Sequence, residues 1–309
     1  MRQRLLQQGG RIAIVSPSGA ISADYMRGGI EGLRSMGYEV ELMPHAEGCA
    51  TSVFAATDDE RAADLAEALR RDDIDVVWCA RGGYGAMRTL MALERYGGWH
   101  RVFSETDKMV VGFSDITALH AAAASVGNVG ILGPMLKHIA VHGISAEDVR
   151  LTLQSLTTGN IEVECVPHKG STVGKAQGKV IGGNLSILYS LMATPVEPDA
   201  EGAILFIEDL SEYRYHIDRM MRSLKFSGFL KRLSGVIVGQ MTGMRDGATP
   251  FGRDAYQIVA DAVAEYGYPV LMGYPSGHAE QENYPLVIGA MAEMEVSADR
   301  GVLRMTMNG

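Results

Sequence analysis

The chain has 309 residues, 47% of them apolar and 21% charged, which suggests two globular domains and excludes disorder and coiled coil. Its 28 basic and 37 acidic side chains give a net charge of −9 with no basic block, so nucleic acid and anionic membrane are excluded as bulk partners. Three scattered cysteines, Cys49, Cys79 and Cys165, exclude a disulfide framework or zinc cluster. No apolar run approaches the ~20 residues of a membrane span. The segment from Met1 to Gly10 lacks the apolar stretch of a signal peptide, so a cytoplasmic location is expected.

The first half alternates two periods. Short apolar runs predict buried strands at Ile12–Val15, Val40–Met43, Asp75–Cys79, Met109–Phe113 and Val129–Leu132. Amphipathic segments between them predict helices at about Tyr25–Met36, Asp58–Arg71, Gly85–Tyr96 and Asp115–Ser125, then Ala146–Thr157. Thr57 and Glu60 form a capping-box pattern before the second of these. This alternation implies a parallel sheet covered on both faces. A Gly- and Lys-containing stretch follows, and residues 167–179 read as a linker between an N-terminal domain (1–166) and a C-terminal domain (180–309). Gly170 to Lys175 is not a phosphate-binding loop, because its spacing is one residue short and no Ser or Thr follows the Lys. The second half predicts strands at Gly178–Ile181, Ala203–Ile207, Val236–Gln240, Val270–Met272, Met291–Val296 and Val302–Met307. Its helices are expected at Leu185–Met192, Arg214–Leu224 and Phe251–Tyr266.

In open α/β sheets, ligands bind beyond the carboxyl ends of strands. Ser16-Pro17-Ser18-Gly19, Ala80-Arg81-Gly82-Gly83-Tyr84-Gly85, Ser114-Asp115, Glu208-Asp209 and Gly273 to His278 all stand at such ends. A serine, an acid and a histidine are what a nucleophile–base–orienter relay needs. The hydroxyl is hardly ionised, an imidazole must take its proton, and a carboxylate fixes the tautomer. Ser114 follows Gly112 at a strand-to-helix corner, as in a nucleophile elbow, although Ile116 replaces the usual second glycine. Ser114 also suits a helix N-cap. Glu208 and Asp209 point to opposite faces if their strand continues, so one of them faces the cleft. His278 lies in a Gly/Pro-rich turn that is otherwise an ordinary exposed turn. The Arg81-Gly82-Gly83 turn can offer amides to an oxyanion and a guanidinium to a carboxylate. His138 and His142 have metal-pair spacing, but no nearby acid or cysteine completes a site, so they read as a surface helix and no metal is expected. His45, His100, His120, His168 and His216 read as surface or packing residues.

The order of these motifs resembles the LD-carboxypeptidases, the muramoyltetrapeptide carboxypeptidase family of serine peptidases. The residues that carry the likeness are Ile14 to Gly19, Ala80 to Gly85, Gly112 to Thr117, Gly182-Gly183-Asn184-Leu185, Ile207-Glu208-Asp209 with Tyr215 to Met220, and Gly277-His278. The resemblance implies an N-terminal flavodoxin-like α/β domain carrying the nucleophile and a β-rich mixed α/β C-terminal domain. It implies a triad of Ser114, Glu208 and His278, no cofactor, and a homodimer. It also implies a murein tetrapeptide substrate, cleaved between an L-centre and the terminal D-Ala. Asp115, Gly82 and Gly83 then fit the oxyanion site, and Arg81 the terminal carboxylate. Acidic side chains are expected to receive the free ammonium of the substrate. Two rivals are a self-immunity peptidase of the same family, cleaving aminoacyl- or peptidyl-nucleotides with an aromatic loop for the base, and a non-catalytic binding module. Trp78 and Trp99 lie in no obvious inserted loop.

Overall fold

A computed structural model describes residues 3–48, 52–279 and 282–307. Cys49 lies outside them. The N-terminal strands β1 (Arg11–Val15), β2 (Glu39–Leu42), β3 (Val76–Cys79), β4 (Met109–Gly112) and β5 (Gly130–Leu132) form a parallel sheet in the order β2-β1-β3-β4-β5, the flavodoxin-like order. β3, β4 and β5 are buried along their whole length, because helices cover both faces. The order reverses at β1, so the loops after β1 and β3 part there and open a crevice.

The second sheet contains β6 (Asn160–Cys165), β7 (Gly174–Asn184), β8 (Ile204–Leu210), β9 (Gly235–Thr242), β10 (Val270–Met272), β12 (Met291–Val296) and β13 (Gly301–Thr306), in the order β10-β9-β8-β7-β12-β13-β6. β7 to β10 run parallel, whereas β12, β13 and β6 are antiparallel. The antiparallel strands have one wet face, and β12 alternates buried and exposed residues accordingly.

The chain does not divide as cleanly as a linker at 167–179 implies. Residues 174–179 are the first half of β7 and pair with β12, while residues 180–184 pair with β8. The strand expected at Gly178–Ile181 thus begins earlier, at Gly174, because the residues at its start carry no apolar period. β6, before that stretch, bonds to β13 in the second sheet. β11 (Leu286–Ile288), far beyond it, closes the first sheet antiparallel to β5. β10 thus belongs to the second sheet and β11, the next strand, to the first. The capping box at Thr57 and Glu60 is present. The helix expected over 251–266 is confined to Ala255–Val263, opened by an Asp254–Gln257 capping box.

His120 lies wholly inside the first lobe, under Gly130, where any side chain would strike the ring. Burial holds its pKa down to about 4. An unfolded chain takes the same proton near pH 6.5. Its contribution to stability is therefore full above about 6.5 and falls as pH drops toward about 4, by on the order of 3 kcal/mol. Denaturant titrations of the wild type and His120→Leu at about pH 7 and about pH 4.5 should show a smaller acid loss in the variant.

Candidate active site

Ser114 stands one residue beyond β4 and opens a single 3₁₀ turn ahead of the helix Thr117–Ser125. Its φ is +64°, one of three positive values at non-glycine residues among those described. A left-handed L-residue costs about 1–2 kcal/mol, so the surrounding packing has to impose it. Phe113 is extended before it, and Thr117 Oγ1 donates to the Ser114 carbonyl at 2.7 Å. Gly112 lies against the Ile116 side chain, leaving no room for a Cβ. Ser114 Oγ holds no hydrogen bond within the described residues, so the hydroxyl does not act as a helix cap.

The Asp115 side chain points inward and is buried. Its Oδ2 accepts the Ser18 hydroxyl and the Ala86 amide, the latter at 2.7 Å. One carboxylate thus ties the loops after β1, β3 and β4 together. Burial pushes its pKa up, opposed by those two hydrogen bonds. Gly82 is held alongside, since a Cβ there would lie 2.9 Å from the Phe113 carbonyl and 3.1 Å from Ser114 Cβ. The Gly82 carbonyl accepts the Gly19 amide at 3.0 Å, and Gly83 takes φ +108°. Arg81 leans out of the same turn, and its guanidinium donates to the Ala20 carbonyl at 2.6 Å.

On the other lobe, Glu208 is 0% exposed near the end of β8 and accepts from His278 Nδ1 at 2.7 Å. A carboxylate only accepts, so Nδ1 carries the proton and Nε2 keeps its lone pair. The His278 side chain is 18% exposed, and the Phe113 ring lies 4.8 Å from it, centroid to centroid. The neighbour of Ser114 in sequence therefore supports the imidazole across the seam between the lobes.

Asp209 is buried as well. The β8–β9 register shifts between Ile207 and Asp209, so strand alternation does not send the two acids apart as a regular strand would. Asn184 Nδ2 donates to Glu208 Oε1 at 3.2 Å and to Asp209 Oδ1 at 3.1 Å. Only Glu208 reaches His278 among the described residues. Burial, and then the adjacent Glu208 charge, push the Asp209 carboxyl up to about 6.

Ser114, Arg81, Gly82, Gly83 and His278 line one cleft of about 680 Å3, a common size for a small-ligand site. Sequence reasoning gave no role to Asn184, Thr117, Phe113 or the side chains of Ser18 and Asp115. Asn184 carried one usable signal, as an Asn between a strand and a helix. It caps the helix Leu185–Leu191, accepting the Ile187 amide, and its own amide nitrogen accepts nothing and so turns to the acids. Its backbone N–H also donates to Thr117 Oγ1 at 3.0 Å. Gly183, at φ +144°, makes that contact possible, because a Cβ would lie 2.3 Å from Thr117 Oγ1. His138 meets an acid that spacing did not reveal: its Nε2 lies 2.7 Å from Asp148 Oδ2, at an angle too poor for a good hydrogen bond. No group of three or more metal-binding side chains occurs among the described residues.

Residues 12–133 match the N-terminal domain of the LD-carboxypeptidases, and residues 177–294 match their C-terminal domain. The chain belongs to the LD-carboxypeptidase family. Among its LD-carboxypeptidase relatives, the probable murein peptide carboxypeptidase of Bacillus subtilis is 30% identical, over 98% of this chain and 94% of that protein. The murein tetrapeptide carboxypeptidase of Pseudomonas aeruginosa is also 30% identical, over 88% of this chain and 89% of the other. The crystal structure of the muramoyltetrapeptide carboxypeptidase from Oxalobacter formigenes superposes with a TM-score of 0.85 at 28% identity, covering 96% of this chain and 98% of that one. These matches extend over both lobes and the cleft between them, so the two-lobe arrangement is that of the LD-carboxypeptidases. Among the described residues no helix is long and apolar enough to cross a membrane.

Proposed function

We propose that this protein is a serine carboxypeptidase that releases terminal D-Ala from murein tetrapeptide, in cytoplasmic recycling of the cell wall. Ser114 attacks the carbonyl carbon of the L,D amide while His278 Nε2 takes its proton. The imidazolium then protonates the leaving D-Ala nitrogen, the C–N bond breaks, and an acyl-serine remains. Water attacks this ester with His278 again as base, restoring the hydroxyl. Glu208 holds the imidazole tautomer and balances its charge. The amides of Asp115 and the Gly82–Gly83 turn receive the oxyanion, a contribution typically on the order of 10²–10³ in rate per donor. Arg81 pairs with the carboxylate of the departing D-Ala, which favours cleavage at a chain end.

One observation carries this reading. A serine held at positive φ on a strand-to-helix turn lines the same cleft as an imidazole whose Nδ1 is tied to a fully buried carboxylate. A binding module has no use for that strain or for that burial of charge. The immunity-peptidase reading wants an aromatic ring for a base. Trp78 is fully buried with its indole N–H on the Pro134 carbonyl, and Trp99 packs against the core, so neither faces the cleft; the Phe and Tyr rings on its wall are Phe113, which lies against His278, and Tyr25, which lies by the Lys137 ammonium.

Mass spectrometry of murein tetrapeptide, its LL-diaminopimelate and lysine forms, and an aminoacyl-nucleotide, each incubated with the protein, tests the proposal. Loss of one alanine from the tetrapeptide is the expected result. Cleavage of the nucleotide conjugate with the tetrapeptide left intact overturns it in favour of the immunity reading, and no product from any of them favours a binding module.

A further inference from the structure

The cleft has a charge that the net −9 of the chain conceals. No Asp or Glu lines it among the described residues, so the acidic side chains expected to receive an ammonium are not on its wall. Arg81, Lys137, His138 and His142 line it instead. Most other arginines of the chain touch a carboxylate. Arg81 and Lys137 touch none within the described residues. The Lys137 ammonium lies 5.7 Å from the centroid of the Tyr25 ring, also on the cleft wall, and both side chains are exposed. Unpaired cations on a shared concave surface repel one another and await anions.

This wall is rigid. The helix Leu136–His142 sits on the glycine face of the helix Ala23–Ser35, where a Cβ at Gly29 would lie 2.7 Å from the Leu136 carbonyl and one at Gly32 would lie 2.8 Å from Ile139. The Lys137 amide donates to the Ala80 carbonyl at 3.3 Å, which fixes the lysine next to the turn that carries Arg81. Behind the wall, Asp148 is buried and touches His138, and it accepts the Asn283 and Val149 amides at 2.9 and 2.8 Å. Its carboxylate thus faces His138 and touches neither Arg81 nor Lys137 among the described residues.

We infer that Lys137 is a specificity residue that reads a second carboxylate, on the side chain of the residue preceding the cleaved bond. The substrate class is then a peptide with two anionic groups at its end. The terminal carboxylate goes to Arg81 and the side-chain carboxylate to Lys137. A penultimate residue with only an amine or an amide at that position leaves the Lys137 ammonium unpaired. This inference rests on the carboxypeptidase reading for its substrate frame.

The test compares three tetrapeptides that differ only at the penultimate side chain: diaminopimelate with a carboxylate, its carboxamide, and lysine. The wild type should favour the carboxylate in kcat/KM by about tenfold, the effect of one partly exposed charged hydrogen bond. Lys137→Gln should bring that ratio close to one, Lys137→Arg should restore most of it, and added salt should shrink it in the wild type. Equal wild-type rates on all three peptides overturn the inference, as does a preference that persists in Lys137→Gln, and either leaves the hydrolysis itself standing. If no peptide is cleaved, the hydrolysis reading fails, and calorimetry of the same peptides with Ser114→Ala protein decides the subsite alone. Tighter binding of the carboxylate form that is lost on adding Lys137→Gln supports it, and equal binding overturns it.

Discussion

Ser114→Ala is expected to lower kcat on murein tetrapeptide by about 10⁴- to 10⁶-fold, because the acyl-enzyme route loses its nucleophile and only binding and the oxyanion site remain. The substitution deletes one oxygen that holds no hydrogen bond within the described residues, so the fold should be unaffected. Ser114→Gly adds a second readout. The residue sits at φ +64°, and glycine takes that conformation without the Cβ penalty. Ser114→Gly should therefore be as inactive as Ser114→Ala and melt at least as high. A strained backbone retained solely for a hydroxyl has this signature, with catalysis lost and stability kept or gained. Stopped-time assays of D-Ala release and thermal unfolding of the three proteins measure both. Retention of activity within tenfold in Ser114→Ala sinks the nucleophile assignment.

Glu208→Gln should cost about 10³–10⁴ in kcat, although it changes no shape. The reason lies in Asn184. Its Oδ1 accepts the Ile187 amide at 3.2 Å and the Ser186 hydroxyl at 2.8 Å, so its amide nitrogen is the end that faces the acids. A glutamine at 208 must then turn its carbonyl to Asn184 and its NH₂ to His278. Nδ1 becomes an acceptor, the ring proton moves to Nε2, and the imidazole loses the lone pair that would take the serine proton. Removing the Glu208 charge also removes one cause of the raised Asp209 pKa. Asp209 should titrate below the value of about 6 that burial and Glu208 together impose. Carboxyl titration by NMR reads that shift independently of activity. A variant with near-normal turnover, or an unchanged Asp209, contradicts the tautomer argument.

The parallel sheet was legible because β3, β4 and β5 are buried on both faces and read as continuous apolar runs. Helices with charged outer faces, such as Asp58–Arg70, were legible from their spacing and their caps. The start of β7 was not, since Gly174 to Gln177, ahead of the strand expected from Gly178, carries no apolar period on an antiparallel strand with a wet face. β11 is three residues long and too short to show a period. The helix Leu136–His142 was missed as a packed element because what defines it is the glycine face of another helix, more than 100 residues earlier.

The site divides in the same way. Sequence by itself determined which residue types stand at strand ends, because the change from buried strand to turn is written in apolar runs and in Gly, Ser, Asp and His positions. Family likeness chose Glu208 over Asp209 where strand alternation left the choice open. Only the tertiary structure decided that Glu208 bonds His278, that Asn184 holds both acids, that Phe113 supports the imidazole, and that Arg81 and Lys137 share a cleft wall with no carboxylate among the described residues. Periodicity records how each segment meets water. Contacts between strand ends that lie tens of residues apart depend on register and on the packing of remote faces, and no local pattern encodes those.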